Sequence, residues 1–292
     1  MAPVDAIPFL KEADICRWRL ERPDDGHKGT FGSVLVWAGS LTFAGAAHMC
    51  AMGALRSGVG LVHLLLPEEL TPFFSAISPP VITHAVREDE TLSLLTSFWR
   101  KGKALVIGPG LTIEDGFLSD GLLLSAEKAN QLVLDAGALS FFARYPDHFQ
   151  RTFSLRRKAG VPPAVLTPHP GEFSRLFPEF AQRERDALSF AKQNDCITVL
   201  KGKNTVIAAP DGRCFLNPTG NDGLSKGGSG DILSGMIGSL LAQGMEPFEA
   251  ACCGVYFHGL AGDLAAEKLG KRYMQPTDLP PFFSEAFRKC GW

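Results

Sequence analysis

The sequence has no C-x-x-C pair, although it contains seven cysteines. An odd number of cysteines without that spacing argues against a disulfide framework and against a structural zinc site. Cys50, Cys252 and Cys253 lie in apolar stretches of helical character, where a free thiol behaves as a small hydrophobic residue. These features favour a reducing compartment, and we expect a cytoplasmic location.

Strong charge of either sign and long apolar runs are also missing. The net charge is −2, from 29 basic and 31 acidic residues. The chain therefore lacks the basic surface expected of a protein that binds nucleic acid. No apolar run reaches the ~18 residues that a membrane helix requires. The first twenty residues do not place a basic segment before an apolar core, so we expect no secretory signal and no membrane partner.

Short apolar runs alternate with stretches of helical character along most of the 292 residues, 45% of which are hydrophobic. Parallel strands covered on both faces are expected to be apolar throughout, and the helices between them to be amphipathic. The runs that predict parallel strands are 34–39, 61–66, 104–108, 131–137, 163–168 and 196–202, with helices predicted near 44–58, 89–101 and 114–129.

The pattern predicts an α/β protein with a mostly parallel sheet and helices on both faces. Residues 205–217 form an exception, because two short strands flank an Asp-Gly turn there and indicate an antiparallel hairpin. Residues 149–164 are the nearest candidate for a domain boundary, but strands are predicted on both sides. We therefore expect one domain, spanning residues 1–292.

The loops after the predicted strands are rich in glycine and carry chemically useful side chains. In parallel sheets ligands bind beyond the carboxyl ends of the strands, so these loops should meet in one crevice. The residues they carry are Asp135, His169, Glu172, Lys201, Asn221 and Asp231.

The segment "GGSGD", residues 227–231, precedes an apolar helix. Glycine permits close approach of the backbone to a ligand, and the first turn of a helix offers unpaired N–H groups that suit an anion. Gly228, Ser229 and Gly230 are therefore candidates to stabilise the charge of phosphoryl transfer. Asp231 could accept a proton from an attacking hydroxyl. Alternatively, Asp231 could serve only as a helix cap.

Two other loops support the same chemistry, each with a plainer alternative. In "HPGE", His169 and Glu172 could face a metal ion near nucleotide phosphates, or could simply cap a helix. Lys201 could project its ammonium group among the phosphate-binding loops, or could be a solvated strand end. The sequence has neither a G-x-x-x-x-G-K-[ST] motif nor a G-x-G-x-x-G motif after the first strand, which disfavours a P-loop protein and a standard dinucleotide fold.

The motifs together resemble the ADP/ATP-dependent NAD(P)H-hydrate dehydratases, a family of the ribokinase-like superfamily. "GGSGD" is similar to the G-x-G-D signature of that superfamily. The motifs follow the family's order between about residues 27 and 279: "HKGTFGSVLVWAGS", "GAAHMCAMGALRSGVGLV", "VIGPGL", "VLDAGAL", "LTPHPGE", "VLKGKNTVI", "NPTGNDGLSKGGSGDILSGMI" and "EAACCGVYFHGLAGDLAAEK". The resemblance implies a three-layer ribokinase-like fold.

The activity implied by this resemblance is a repair reaction that restores NADH or NADPH from a hydrated form. The hydroxyl group of the hydrate would be phosphorylated, and loss of phosphate would regenerate the double bond, because phosphate leaves more readily than hydroxide. The resemblance also implies Mg²⁺, ADP or ATP as the co-substrate, a homo-oligomer, and an epimerase on a separate chain. Residues 1–26 would be an N-terminal extension, without an epimerase domain.

Site residues follow from the same resemblance. Asp231 would activate the hydroxyl, and the glycine segment around Ser229 would stabilise the transferred group. The residues assigned to the nucleotide are Lys201, Gly202, Gly220, Asn221 and Gly227. The residues assigned to the hydrate are Gly45, Ala46, Gly110, Asp135 and His169, together with Asp231. Glu172 is assigned to the metal.

This chain departs from the family pattern at four positions. Gly137 stands where the family usually has an aspartate, and Thr30 where it usually has an acidic residue. Both changes remove negative charge on the side expected to bind the hydrate. Lys226 adds a positive charge where a small residue is common, and Ser229 replaces a threonine but keeps the hydroxyl.

Two other functions remain open at this point. One is a small-molecule kinase of the same superfamily, acting on hydroxymethylpyrimidine, a thiazole alcohol or a sugar. The other is a non-catalytic protein that binds nucleotides. In the helix predicted near 247–270 we interpret His258 as a buried, hydrogen-bonded core residue, and Asp263 as solvent-facing or salt-bridged.

Overall fold

A nine-stranded sheet with helices on both faces organises the protein, as described by a computed structural model for residues 7–113 and 116–292. The strands are β1 (Ser33–Trp37), β2 (Leu61–Leu66), β3 (Val81–Ala85), β4 (Lys103–Ile107), β5 (Leu132–Leu134), β6 (Ala164–Leu166), β7 (Cys196–Leu200), β8 (Val206–Ala208) and β9 (Cys214–Leu216). Residues 1–6 of the predicted extension, and the beginning of the helix predicted over 114–129, lie outside the described residues.

Twelve α-helices are found in the described part of the chain. They are α1 (Glu12–Arg17), α2 (Ala44–Leu55), α3 (Thr71–Ile77), α4 (Glu88–Ser97), α5 (Phe117–Lys128), α6 (Ala136–Arg144), α7 (Pro146–Lys158), α8 (Pro170–Leu176), α9 (Arg183–Asn194), α10 (Ser229–Ala242), α11 (Pro247–Leu269) and α12 (Leu279–Lys289). None of the helices in residues 7–113 and 116–292 has the length and apolar character needed to cross a bilayer.

The strand order is β3-β2-β1-β4-β5-β6-β7-β8-β9. Strands β1 to β7 are parallel, and β8 pairs antiparallel with both of its neighbours. The predicted α/β class, the mostly parallel sheet and the hairpin over 205–217 are therefore confirmed. Because the order runs outward from β1 in both directions, a topological switch point lies between β1 and β4, where ligands bind in such sheets.

Alternate side chains of the strands build two separate cores. In β1, Val34 and Val36 join the core formed with α2, α10 and α11, whereas Leu35 and Trp37 join the core formed with α5, α6 and α9. All four of these side chains are at most 1% exposed. Burial on both faces explains why the sequence of this strand is apolar without interruption.

Helix α10 is positioned by two glycines at its contact with α2. A Cβ on Gly53 would lie 2.9 Å from the carbonyl carbon of Ile232, and a Cβ on Gly235 would lie 2.9 Å from the amide nitrogen of Ala54. The two helix backbones therefore approach more closely than larger side chains would permit. The middle of α10 packs on β1 and β4, since a Cβ on Gly238 would meet Val34 and Val106, and the hydroxyl of Ser234, nearer its amino end, reaches Asp135 after β5.

The segment 149–164, considered above as a possible boundary, forms most of α7 and the approach to β6. Arg156 of this helix is 1% exposed and donates hydrogen bonds of 2.8 Å to the carbonyl oxygens of Ala126 and Pro162. Burial lowers the pKa of its guanidinium to about 10, which leaves it charged at neutral pH. Arg156 thus fastens α7 to α5, and the sheet continues on both sides of the segment.

Candidate active site

A largely buried ion pair lies where the loops after β5 and β7 meet, with the Asp135 side chain 1% exposed and that of Lys201 20% exposed. The Nζ of Lys201 is 2.9 Å from Oδ1 of Asp135, and the hydroxyl of Ser234 donates a 2.6 Å hydrogen bond to Oδ2. Burial alone would lower the pKa of Lys201, but the carboxylates of Asp135 and Glu172 outweigh that effect and raise it. Lys201 therefore remains a cation at the base of the crevice. The sequence assigned Asp135 and Lys201 to different ligands, whereas the structure brings them into contact.

Asp231 occupies the first turn of α10, close to this pair. Burial raises the pKa of its carboxyl group, Asp135 and Glu172 raise it further, and Lys201 opposes them, with the result that the pKa is about 7. The N-cap of α10 is Gly228, and no side chain caps this helix end. Within the described residues, the Asp231 carboxylate accepts no hydrogen bond, so the capping alternative has no support. A carboxylate with a pKa near neutrality is suited to accept a proton.

The glycine segment before Asp231 is shaped by backbone conformation and by one buried histidine. Gly228 has a φ of 100°, which favours glycine. The Ser229 amide donates to the Lys226 carbonyl at 3.3 Å, and the Ser229 hydroxyl lies 3.3 Å from Nε2 of His258. Burial lowers the pKa of His258 to about 4, so its ring is neutral. The interpretation of His258 as a buried, hydrogen-bonded residue agrees with these contacts, and its partner is the segment proposed to bind the transferred group.

His169 and Glu172 form a capping box at the start of α8. His169 Nδ1 accepts hydrogen bonds from the amides of Gly171 and Glu172, at 3.0 and 3.3 Å, and Glu172 Oε2 accepts one from the His169 amide at 2.8 Å. The plainer alternative, a capped helix start, is therefore present. It does not use Oε1 of Glu172, which lies 3.6 Å from Nε2 of His169. One carboxylate oxygen remains available for a ligand.

A cavity of about 940 Å³ lies beside the glycine segment. Its walls come from the loop after β7, the segment 217–230 and the middle of α11. All five residues assigned to the nucleotide line it: Lys201, Gly202, Gly220, Asn221 and Gly227. His169, Gly228, Ser229 and Gly230 also line it. The volume falls within the range typical of small-molecule sites.

The remaining predicted residues lie outside that cavity wall: Gly45, Ala46, Gly110, Asp135, Glu172 and Asp231. Gly45 and Ala46 begin α2, and a Cβ on Gly110 would lie 2.8 Å from Cβ of Ala46. The loops after β1 and β4 therefore pack together on the side of α10 that faces α2. Lys201, the partner of Asp135, lines the cavity itself.

Asp263 is partly exposed, and the structure adds hydrogen bonds that the sequence interpretation did not include. Its Oδ2 accepts a 2.8 Å hydrogen bond from the Gly220 amide, and its Oδ1 accepts a 2.9 Å hydrogen bond from Nδ2 of Asn221. Asn221 in turn accepts from the Gly223 amide at 2.9 Å. Asp263 thereby fixes the loop that carries two of the predicted nucleotide residues.

We expect Asp263→Ala to weaken ADP binding roughly tenfold, because two donors of the cavity wall lose their acceptor. Titration calorimetry measures the change. Glu267→Ala is the matched control, since Glu267 is an exposed carboxylate one turn further along α11. Equal ADP affinities for the two variants would contradict this role.

Gly137 departs from the family pattern, and no side chain fits at its position. A Cβ there would lie 3.0 Å from the Gly108 carbonyl oxygen and well inside contact distance of the Leu111 carbonyl oxygen. The Gly137 amide also donates to the Gly108 carbonyl at 3.1 Å. The loop 108–111 therefore occupies the space that an aspartate would need.

Gly137→Ala is expected to lower the free energy of unfolding by roughly 1–3 kcal/mol, because the added methyl group must displace the 108–111 loop. Urea unfolding tests the expectation. Gly45→Ala provides the control, because nothing lies within 4 Å of a Cβ at that helical position. Equal free energies of unfolding for Gly137→Ala and Gly45→Ala would show that the 108–111 loop moves aside without loss of stability.

Comparison with known proteins gives a consistent family. The model of a protein family described as NAD(P)H-hydrate dehydratase matches residues 34–282. The bifunctional NAD(P)H-hydrate repair enzyme of Gloeobacter violaceus is 40% identical over 254 residues, which cover 85% of this chain and 48% of that protein. The chain thus spans about half the length of such bifunctional relatives. The ADP-dependent (S)-NAD(P)H-hydrate dehydratase of Bacillus subtilis is 35% identical over 88% of this chain and 90% of its own length.

Solved structures agree with these relatives. The ADP/ATP-dependent NAD(P)H-hydrate dehydratase of Bacillus subtilis, co-crystallised with ATP and Mg²⁺, superposes with a TM-score of 0.84 at 31% identity, covering 98% of this chain and all of that one. A hydroxyethylthiazole kinase from Pyrococcus horikoshii superposes with a TM-score of 0.63 at 17% identity, which shows a shared fold alone. The predicted ribokinase-like fold is confirmed.

Proposed function

The chain belongs to the NAD(P)H-hydrate dehydratase family, and we propose that it restores NADH and NADPH from their hydrates at the expense of ADP or ATP. The observation that carries this proposal is Asp231, a carboxylate with a pKa of about 7 at the amino end of α10, beside a cavity of about 940 Å³. The same arrangement would also serve a kinase, but no specific contact of the described residues favours that alternative.

Proton transfer from the hydrate is the step assigned to Asp231. Its carboxylate takes the proton of the hydrate hydroxyl, the oxygen forms a bond to the terminal phosphorus of the nucleotide, and the bridging P–O bond breaks. The C–O bond of the phosphorylated hydrate then breaks and a neighbouring carbon loses a proton. The products are the reduced nicotinamide, inorganic phosphate and the shortened nucleotide. AMP is formed from ADP, or ADP from ATP.

Charge that develops during the transfer would be stabilised from two directions. The first-turn amides of α10, around Gly228, Ser229 and Gly230, present N–H groups and the positive end of the helix dipole. Lys201 adds a full positive charge close by, since a Cβ on Gly230 would lie 3.3 Å from its Nζ. Asp135 holds that ammonium group in place, which suggests that it acts through Lys201 as well as toward the hydrate.

Magnesium fits the residues that are present. No cluster of three or more metal-ligating side chains occurs in residues 7–113 and 116–292. Mg²⁺ is usually bound by one or two carboxylates together with the phosphates of a substrate and water, so the fit depends on a single well-placed carboxylate. Glu172 would hold the ion through Oε1, the oxygen that the capping box does not use, and the bound ion would neutralise phosphate charge. Gly45, Ala46, Gly110 and His169 remain the proposed contacts for the hydrate.

The domain organisation and the cellular setting follow from the family as proposals. We propose that residues 1–292 form a single catalytic unit. A homo-oligomeric state, a cytoplasmic location and an epimerase on another chain stay predictions drawn from the resemblance.

Recovery of absorbance at the reduced-nicotinamide band tests the proposed function. The protein is mixed with hydrated NADH or NADPH, Mg²⁺ and either ADP or ATP, and reactions without nucleotide serve as controls. We expect recovery that depends on nucleotide. Absence of recovery, with nucleotide binding intact, would refute the repair activity and direct attention to hydroxymethylpyrimidine, thiazole alcohols and sugars as phosphoryl acceptors.

A further inference from the structure

The side chain of Lys226 contacts a turn that follows α11. Its ammonium group donates a 2.9 Å hydrogen bond to the Arg272 carbonyl and a second hydrogen bond to the Met274 carbonyl. Because an ammonium group has three donors, most of its hydrogen-bonding capacity is used in these contacts. We call residues 270–275 the distal turn. The positive charge that Lys226 adds to the family pattern is thus hydrogen-bonded to backbone oxygens of the distal turn.

Other contacts join the distal turn to the same wall of the cavity. Nζ of Lys271 lies 2.8 Å from Oδ1 of Asp222, although both side chains are largely exposed. A Cβ on Gly223 would lie 2.5 Å from Sδ of Met274 and 3.0 Å from the Lys271 carbonyl oxygen. The distal turn and the segment 222–226 therefore pack with almost no space between them.

The backbone of Lys226 connects this packing to the start of α10. Its carbonyl oxygen accepts a 3.3 Å hydrogen bond from the Ser229 amide, and its amide donates to the Leu224 carbonyl at 2.8 Å. Lys226 also lines the cavity. One residue thus links the distal turn, through its side chain, to the first turn of α10, through its main chain.

We propose that Lys226 is a positioning residue for the nucleotide, and that it fastens the distal turn against the cavity wall instead of binding phosphate directly. This inference rests on the proposed function, because it concerns the same nucleotide site. Without the Lys226 side chain, the segment 222–228 loses two hydrogen bonds to the distal turn. Nucleotide binding must then order that segment. The entropy lost in this ordering weakens nucleotide affinity but does not change the rate of the chemical step.

The test compares Lys226→Met with Lys226→Arg and Lys203→Met. Lys203 lines the same cavity and its side chain is exposed, so Lys203→Met removes an equal charge without removing the tether. For Lys226→Met we expect a roughly tenfold rise in the Kd for ADP and in the KM for nucleotide, with little change in kcat. Arginine retains several donors and should restore much of the affinity.

Hydrogen exchange of the free protein gives a second readout. Lys226→Met should accelerate exchange at the amides of Tyr273 and Met274, which donate to the Gly270 carbonyl, whereas Lys203→Met should leave them unchanged. Nucleotide affinity that falls equally in Lys226→Met and Lys203→Met, with unchanged exchange in both, would overturn the tether and indicate direct phosphate contact. Unchanged affinity in Lys226→Met would also overturn it.

Calorimetric binding of ADP keeps this test separate from the proposed function. If wild-type protein binds ADP but fails to repair the hydrates, the repair activity is refuted and the tether is still measured by the Kd values and by exchange. If repair proceeds normally and the Lys226 variants bind ADP as wild type does, the tether alone is refuted.

Discussion

Replacing Asp231 by asparagine is expected to lower kcat for hydrate repair by roughly 10²- to 10⁴-fold, the usual contribution of a positioned general base. The amide has nearly the same shape but cannot accept the proton of the hydroxyl. Because the Asp231 carboxylate accepts no hydrogen bond from the residues that the structure describes, the substitution breaks no such contact. Initial rates at the reduced-nicotinamide band measure kcat, and calorimetry should show that ADP still binds.

Asp120→Asn is the matched control for this experiment. Asp120 lies near the amino end of α5, which also begins after a glycine cap, and its side chain is exposed. This variant therefore shows how much repair activity is lost when a carboxylate near a helix start is replaced at a position away from the site. If Asp231→Asn retained the activity of Asp120→Asn, the hydroxyl proton would have to leave by another route, and the proposed role of Asp231 would be wrong.

The pH dependence of repair should report the pKa of Asp231. The base acts in its deprotonated form, so kcat/KM should rise with pH and level off above a pKa of about 7. Burial, with Asp135 and Glu172, raises this pKa well above the ordinary value of 3.8. The residual activity of Asp231→Asn should lack the rise near pH 7. The same rise in both proteins would assign it to a different group.

The raised pKa also has a consequence for stability. The folded protein holds a proton on Asp231 up to about pH 7, whereas the unfolded chain releases it near pH 3.8. The favourable contribution is therefore complete below pH 3.8 and is lost as the pH rises to about 7. Asp231→Asn, which does not titrate, should gain stability relative to wild type over that interval and keep the gain above it.

Much of the fold can be predicted because the central strands are buried on both faces. Mostly apolar runs of the sequence predict β1, β2, β4 and β7 within two residues of the observed bounds, although β2 includes His63 and β7 includes Thr198. The edge strand β3 was missed. It includes half-buried Thr83 and His84 together with exposed Ile82, so no apolar run marks it. Such a strand is specified by its pairing with β2 and not by its own composition.

The end of β5 shows a second limit of sequence patterns. The strand was predicted to continue through residue 137, but it ends at Leu134 and α6 begins at Ala136. The Asp135 amide still bonds the Ile107 carbonyl at 3.1 Å, and Ala136 then adopts a φ of 43°. Alanine rarely has a positive φ, so the local sequence does not predict the turn at Ala136. Packing of Gly137 against the 108–111 loop imposes it.

The sequence nominated candidate site residues but did not predict the contacts among them. Glycine-rich loops after apolar strands supplied the candidates, because chain order fixes which end of each strand they occupy. Pairings between distant residues left no local signal. Asp135 and Lys201 are 66 residues apart, and Asn221 and Asp263 are 42 apart. Only the assembled sheet and the position of α11 bring these partners together.

Breaking the Asp135–Lys201 pair should have the largest effect on stability of any single substitution proposed. Asp135 is 1% exposed, and Asp135→Ala leaves the Lys201 ammonium and the Ser234 hydroxyl without their acceptor. Removing one partner of a buried ion pair typically costs about 3–5 kcal/mol. Urea unfolding should show a loss of this order. Glu285→Ala, which breaks an exposed pair with Lys289, is the control and should cost less than about 1 kcal/mol.

A double-mutant cycle separates the pair from its surroundings. Lys201→Met removes the cation that Asp135→Ala would strand, so the double variant should be more stable than Asp135→Ala alone, because no unpaired charge is left buried. Stability losses that simply add would mean that Lys201 finds another partner or reaches water when Asp135 is absent. An additive cycle would therefore contradict the positioning of Lys201 by Asp135.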